Sequence, residues 1–184
     1  MRKFQIGVMG SMADLNYGQE FERSAERVGE LIAEQNGILL FGAEKDADSL
    51  STAACRGAKR LGGLTVGITY GKDKNVIQDD ADVILPCGID RGGGREFVLV
   101  LGCDALIALS GGSGTLGEMV VAYQADIPVV ALRGLGGWAD KMAGEYFDAR
   151  RRRPVFAADT PEEAVEIAFR EAEAYRERSS ARNA

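Results

Sequence analysis

Asp104-Ala105-Leu106-Ile107-Ala108-Leu109-Ser110-Gly111-Gly112-Ser113-Gly114-Thr115-Leu116-Gly117-Glu118 reads as a buried strand, a glycine-rich turn and the opening of a helix. The unbroken apolar run through Leu109 suits a strand covered on both faces. Glycines let the backbone turn tightly and come close to a ligand, because no Cβ stands in the way. The helix expected over 116–125 then points its free N–H groups and its positive dipole end into the turn, where an anion is favoured. A phosphate cradled by Gly111, Gly112, Ser113, Gly114 and Thr115 is the natural guest, with the Glu118 carboxylate beside it. The turn is not a Walker loop, since no Lys follows its last glycine. It is not the dinucleotide fingerprint either, since the glycine spacing differs and the turn lies late in the chain.

On both sides of this unit, strand and helix patterns alternate. Strands are expected over 4–9, 38–41, 64–69, 82–86, 105–109, 128–132 and 155–156. Helices are expected along the stripe from Phe21 to Ile32 (closed by Gly37), over 49–61, 96–102, 116–125 and 138–150, and from Pro161 behind a Thr160 N-cap. Such alternation predicts an α/β fold, a mainly parallel sheet of about seven strands with helices on both faces. Residues 1–178 are read as one domain and 179–184 as a disordered tail. Ligands of such sheets bind outside the carboxyl ends of the strands. That edge gathers Gly10 and Ser11, Gly42, and the 110–115 turn, so Gly10, Ser11 and Gly42 are expected as ligand wall.

Composition narrows the chemistry. The net charge of −6 argues against a general nucleic-acid binder. The chain has no histidine, which removes Ser-His-Asp and Cys-His nucleophile systems. Its three cysteines lack metal-type spacing, so no metal site is expected and a reducing cytoplasm fits. No run approaches the ~20 apolar residues of a membrane span. The basic run Arg150-Arg151-Arg152-Arg153 is read as the solvated end of the 138–150 helix.

Gly111-Gly112-Ser113-Gly114-Thr115 with Glu118 resembles the GGxGTxxE motif of the LOG-like proteins, long mislabelled lysine decarboxylases. Arg95 resembles that family's motif arginine, and Arg56 to Ile68 resembles its second-helix and third-strand block. The likeness covers roughly 4–132 and is nearest to the branch that includes molybdenum-cofactor carrier proteins. It implies a Rossmann-like three-layer fold, a nucleotide-like phosphorylated ligand and a homodimer or higher homo-oligomer with the site near the interface. The activity it implies is hydrolysis of the N-glycosidic bond of a nucleoside 5′-monophosphate to free base and ribose 5-phosphate, with Arg95 and Glu118 as catalytic residues and no required cofactor. The residue types suit that reaction, since a carboxylate can stabilise positive charge on the ribose and a guanidinium can pin phosphate. The alternative is a non-catalytic carrier of a molybdopterin-type ligand or a nucleotide sensor. A pyridoxal-phosphate lysine decarboxylase is not expected, because no lysine stands near the motif. This chain departs from the family pattern where Ser110 replaces a common Pro and where Glu96 follows the arginine. After the second strand, in place of a glycine-rich segment, it reads Phe41-Gly42-Ala43-Glu44-Lys45-Asp46-Ala47-Asp48-Ser49, with three carboxylates that should border the ligand.

Overall fold

Seven strands lie side by side in one sheet in the computed structural model, which describes residues 2–90 and 94–182. They are β1 (Gln5–Gly10), β2 (Ile38–Gly42), β3 (Leu64–Thr69), β4 (Val83–Pro86), β5 (Ala105–Leu109), β6 (Val129–Leu132) and β7 (Phe156–Ala158). Every pairing is parallel, and the spatial order is β4-β3-β2-β1-β5-β6-β7. From β1 the chain moves outward to β4, then returns to place β5 against β1 and continues the other way. Strand order therefore reverses between β1 and β5, where open α/β sheets hold their ligands.

Six helices cover the two faces: α1 (Gln19–Glu34), α2 (Leu50–Arg60), α3 (Gly94–Leu101), α4 (Ser113–Gln124), α5 (Gly137–Met142) and α6 (Pro161–Arg182). Alternation along β5 divides the core between them. Ala105, Ile107 and Leu109 join the cluster under α1, α2 and α6, while Leu106 and Ala108 join the one under α3, α4 and α5. Both sets are buried, which is why the strand reads as continuous apolar sequence. Helices α1 and α2 approach closely. A Cβ at Gly29 would lie 1.8 Å from the Ala54 carbonyl oxygen, and one at Gly57 would lie 1.9 Å from that of Glu26.

Three expectations need correction. The helix expected over 138–150 ends at Met142. Gly144 turns the chain at φ +85, its N–H donates to Val155 O, and Tyr146 bridges to Pro154, so the segment folds back as a loop. The basic run accordingly lies in that loop, where Arg150 pairs with Asp148 and Arg153 donates to the Asp126 carbonyl at 2.6 Å. The last strand starts one residue later than expected, at Phe156. The terminal helix, capped by Thr160 Oγ1 accepting from Glu163 N at 3.1 Å, runs through 179–182 to Arg182, where a disordered tail was expected; residues 183–184 lie outside the described residues. A short 3-10 turn, Ala13–Leu15, follows β1 and was not anticipated.

Candidate functional site

The glycine turn is held from three sides. Ser110 and Gly111 sit at φ +56 and +99, and a Cβ on Gly111 would lie 2.4 Å from the Thr115 side chain. Gly111 N donates to Ser11 Oγ at 2.8 Å, and Ser11 Oγ donates to Ser110 Oγ at 3.0 Å. On the far side, Trp138 N and Ala139 N donate to the Gly111 and Ser110 carbonyls, both at 2.9 Å. Gly137 makes that approach feasible, because a Cβ there would lie 2.5 Å from the Ser110 carbonyl carbon. Helix α4 then starts with Gly112 as N-cap and no side-chain cap; its first internal bond runs from Leu116 N to Gly112 O. The N–H groups of Ser113, Gly114 and Thr115 precede that bond and are left for a guest.

Those residues line a cleft of about 260 Å³ at the β1/β5 reversal. The volume falls just below the ~300–1,000 Å³ usual for drug-sized ligands. Gly10 and Gly42 line it at the ends of β1 and β2, and Arg95 and Glu118 both face it. Ser11 and Gly111 do not. They line a neighbouring, more open recess with Tyr17, Trp138 and Lys141, and their part here is to fix the turn. Arg95 belongs to the first turn of α3 rather than preceding the helix. Sequence reasoning missed Met12, Asp14 and Leu15, brought in by the 3-10 turn, and Ser51 on α2. It flagged Glu44 within an acidic loop but gave it no role.

Glu44 governs the electrostatics. Its side chain is 5% exposed, and its Oε1 accepts from Arg95 Nη1 at 2.7 Å. The other two loop carboxylates turn elsewhere. Asp46 accepts from Tyr70 OH at 2.9 Å, and Asp48 binds Arg56 and caps Ser49 N. Burial pulls the Arg95 pKa down, but Glu44 and the nearby carboxylates outweigh it and hold it above the usual value. Glu118 is in the opposite position. It is 6% exposed, and burial pushes its pKa up to about 8, opposed by Arg95 and assisted by Glu96 and Glu44. At neutral pH Glu118 is therefore largely a neutral acid able to donate a hydrogen bond. Glu96 Oε1 lies 4.0 Å from Arg95 Nη2, and its Oε2 is buried with no hydrogen-bond partner among the described residues. Three carboxyl groups thus surround one guanidinium. Among the described residues, no group of three His, Cys, Asp or Glu is placed to hold a metal ion.

Residues 3–165 match the family model described as the SLOG cluster4 family. An uncharacterized protein of Archaeoglobus fulgidus is 37% identical over 133 residues, which is 72% of this chain and 82% of that protein. Among solved structures, the molybdenum cofactor binding protein from the phototrophic bacterium Rippkaea orientalis aligns with TM-score 0.77 and 30% identity, covering 92% of this chain and 98% of that one. The molybdenum cofactor carrier protein of Chlamydomonas reinhardtii aligns with TM-score 0.77 and 28% identity, covering 94% and 99%. No helix among the described residues is long and apolar enough to cross a membrane.

Proposed function

This chain belongs to the SLOG cluster4 family of the LOG-like superfamily, and from that premise we propose that it binds one phosphorylated small molecule, a molybdopterin-type cofactor, and carries it without cleaving it. The observation that carries the reading is the 2.7 Å pair between Arg95 and Glu44. It neutralises the cation that an N-glycosidase would need for phosphate or for a departing base. With Glu118 also uncharged near neutral pH, the site has little free negative charge from that residue to stabilise a ribosyl cation. What remains is a binding surface. The first-turn N–H groups of α4 take the phosphate, and the ring system lies against Gly10 and Gly42. The solved relatives named for molybdenum cofactor binding and carriage support this choice of cargo. Such a cargo would supply its own redox chemistry to an acceptor enzyme, while this chain holds and shields it.

Hydrolysis of a nucleoside monophosphate is the second reading, and one observation favours it. A buried, protonated Glu118 beside an arginine suits general-acid help to a departing base. The test is direct. Incubation with AMP, GMP, CMP, UMP and IMP should release no free base or ribose 5-phosphate, while the molybdenum cofactor should remain bound through gel filtration. Base release that Glu118→Gln abolishes would overturn the carrier reading.

Self-association belongs to the same proposal. Phe97, Val98 and Leu101 on α3 are exposed apolar residues on the helix that carries Arg95, a face that a second copy would cover. Light scattering should give at least twice the 19.7 kDa chain mass.

A further inference from the structure

We propose that Glu44 is the specificity-determining residue of the cleft. It docks on Arg95, closes that guanidinium to a second anionic group, and offers its remaining lone pairs to the N–H edge of a 2-aminopyrimidin-4-one ring, the edge that guanine and pterins share. The inference rests on the cleft being a phosphorylated-ligand site and deepens that reading by naming the ring class.

The argument starts from what each wall of the cleft can accept. The α4 end provides N–H donors and a positive dipole, so it takes an anion. The opposite wall is acceptor-rich. Glu44 lines it at 5% exposure, Asp14 lies on the same cleft, and Arg95 is already paired at 2.7 Å. A second phosphate or carboxylate there would meet like charge. A ring edge made of adjacent N–H donors would instead meet the Glu44 carboxylate paired to Arg95, whose two oxygens have about four acceptor sites between them. Arg95 uses one of these.

A second observation also points to a ligand. Glu118 is 6% exposed, lines the same cleft, and makes no hydrogen bond among the described residues. Its carboxyl group has no hydrogen-bond partner among the described residues, so on the cleft wall it is available to complementary polar atoms of a bound molecule. The cleft thus pairs one anion-seeking end with one donor-seeking wall, which is the polarity of a phosphorylated aminopyrimidinone. Gly42 gives the ring room to approach, since a Cβ at that position would stand 3.5 Å from the Arg95 guanidinium carbon and narrow the entrance.

Three ribonucleotides with the same sugar phosphate separate the idea from its rivals. Guanine presents N1–H and the exocyclic N2–H side by side, hypoxanthine presents N1–H alone, and adenine presents a lone pair at N1. A charge-assisted hydrogen bond contributes about 1.5–3 kcal/mol, or roughly tenfold or more in affinity for each donor. Isothermal titration of the full chain should therefore rank GMP above IMP above AMP, with GMP at least about thirtyfold tighter than AMP. Glu44→Gln should bring GMP and AMP within about threefold of each other, and because it releases the Arg95 guanidinium, inorganic phosphate should bind no more weakly than to the wild-type chain. Equal binding of the three nucleotides to the wild-type chain, with inorganic phosphate still bound, would overturn the role of Glu44 and leave the phosphate cleft standing. Failure of phosphate and of all three nucleotides to bind would overturn the cleft reading itself. The ligand series uses the unmodified chain, so it decides the matter even if Glu44→Gln does not fold.

Discussion

The two ends of β5 each hold a buried acid, and the acids are treated in opposite ways. Asp104, just before the strand and 1% exposed, is saturated with partners. Arg2 grips both of its oxygens at 2.7 Å, Arg176 adds a bond at 2.9 Å, and Gln5 N donates at 2.9 Å. Burial pulls its pKa upward, but these bonds prevail and hold it below the ordinary carboxylate range. Glu118, past the other end of the strand, is as deeply placed and has no hydrogen bond among the described residues, so its pKa rises to about 8. A buried carboxylate that accepts four hydrogen bonds is architecture. One left short of partners on a cleft wall is a candidate to meet a bound molecule, as proposed above.

Asp104→Ala should give the largest effect. It leaves two arginines unpaired and should cost about 3 kcal/mol in urea unfolding, near the low end for breaking a buried pair because Arg2 is half exposed. Ligand affinity should be unchanged; a change there would mean the two edges are coupled. The pH dependences should run in opposite directions. Between the ordinary carboxylate range and about pH 8, the folded chain keeps a proton on Glu118 that the unfolded chain has lost, so stability falls as pH rises through that window and levels off above it. Thermal melts should show Glu118→Gln removing this decline, with Arg95, Glu44 and Glu96 the charged groups facing the site. Asp104 contributes stability above the ordinary carboxylate range and loses it as pH drops through its lowered pKa, so Asp104→Asn should flatten the acid limb instead.

Gly137→Ala should come next. At φ +67 an L side chain costs roughly 1–2 kcal/mol. The new Cβ also presses on the Ser110 carbonyl carbon, so phosphate affinity should fall together with stability. Ser49→Ala should be the mildest. It removes the α2 N-cap, in which Ser49 Oγ accepts from Thr52 N at 3.1 Å, for about 1 kcal/mol, and should leave affinity alone. An affinity loss from Ser49→Ala would blur the division between architecture and binding on the cleft edge.

The sheet was legible because its signal is repetitive. Apolar strand segments separated by helical stripes with Gly37 and Thr160 at their ends admit few arrangements, and β3 lies at the predicted 64–69. Helix α5 was overestimated because residues 143–150 carry helix-compatible side chains. What stops the helix is the positive φ of Gly144 and tertiary bonds to Val155 and Pro154, which local patterning does not reveal. The same holds at the site. The glycine turn and Glu118 announce themselves by spacing along one strand–helix unit. The Arg95–Glu44 pair joins residues 51 positions apart, one in the first turn of α3 and one in the loop after β2, and its existence depends on the fold. Ser11 could be read only as ligand wall from its place after β1, because the bonds by which its side chain braces the turn arise from residues about a hundred positions away.

Trp138 is the chain's sole tryptophan, and its main-chain N–H is anchored to Gly111 while its indole lies 4.6 Å under the Lys141 ammonium. The glycine turn is therefore coupled to an intrinsic fluorophore whose indole face carries a cation. If a ligand on the proposed cleft moves the turn, the emission of this one indole, which lines the adjoining recess, should shift without any label.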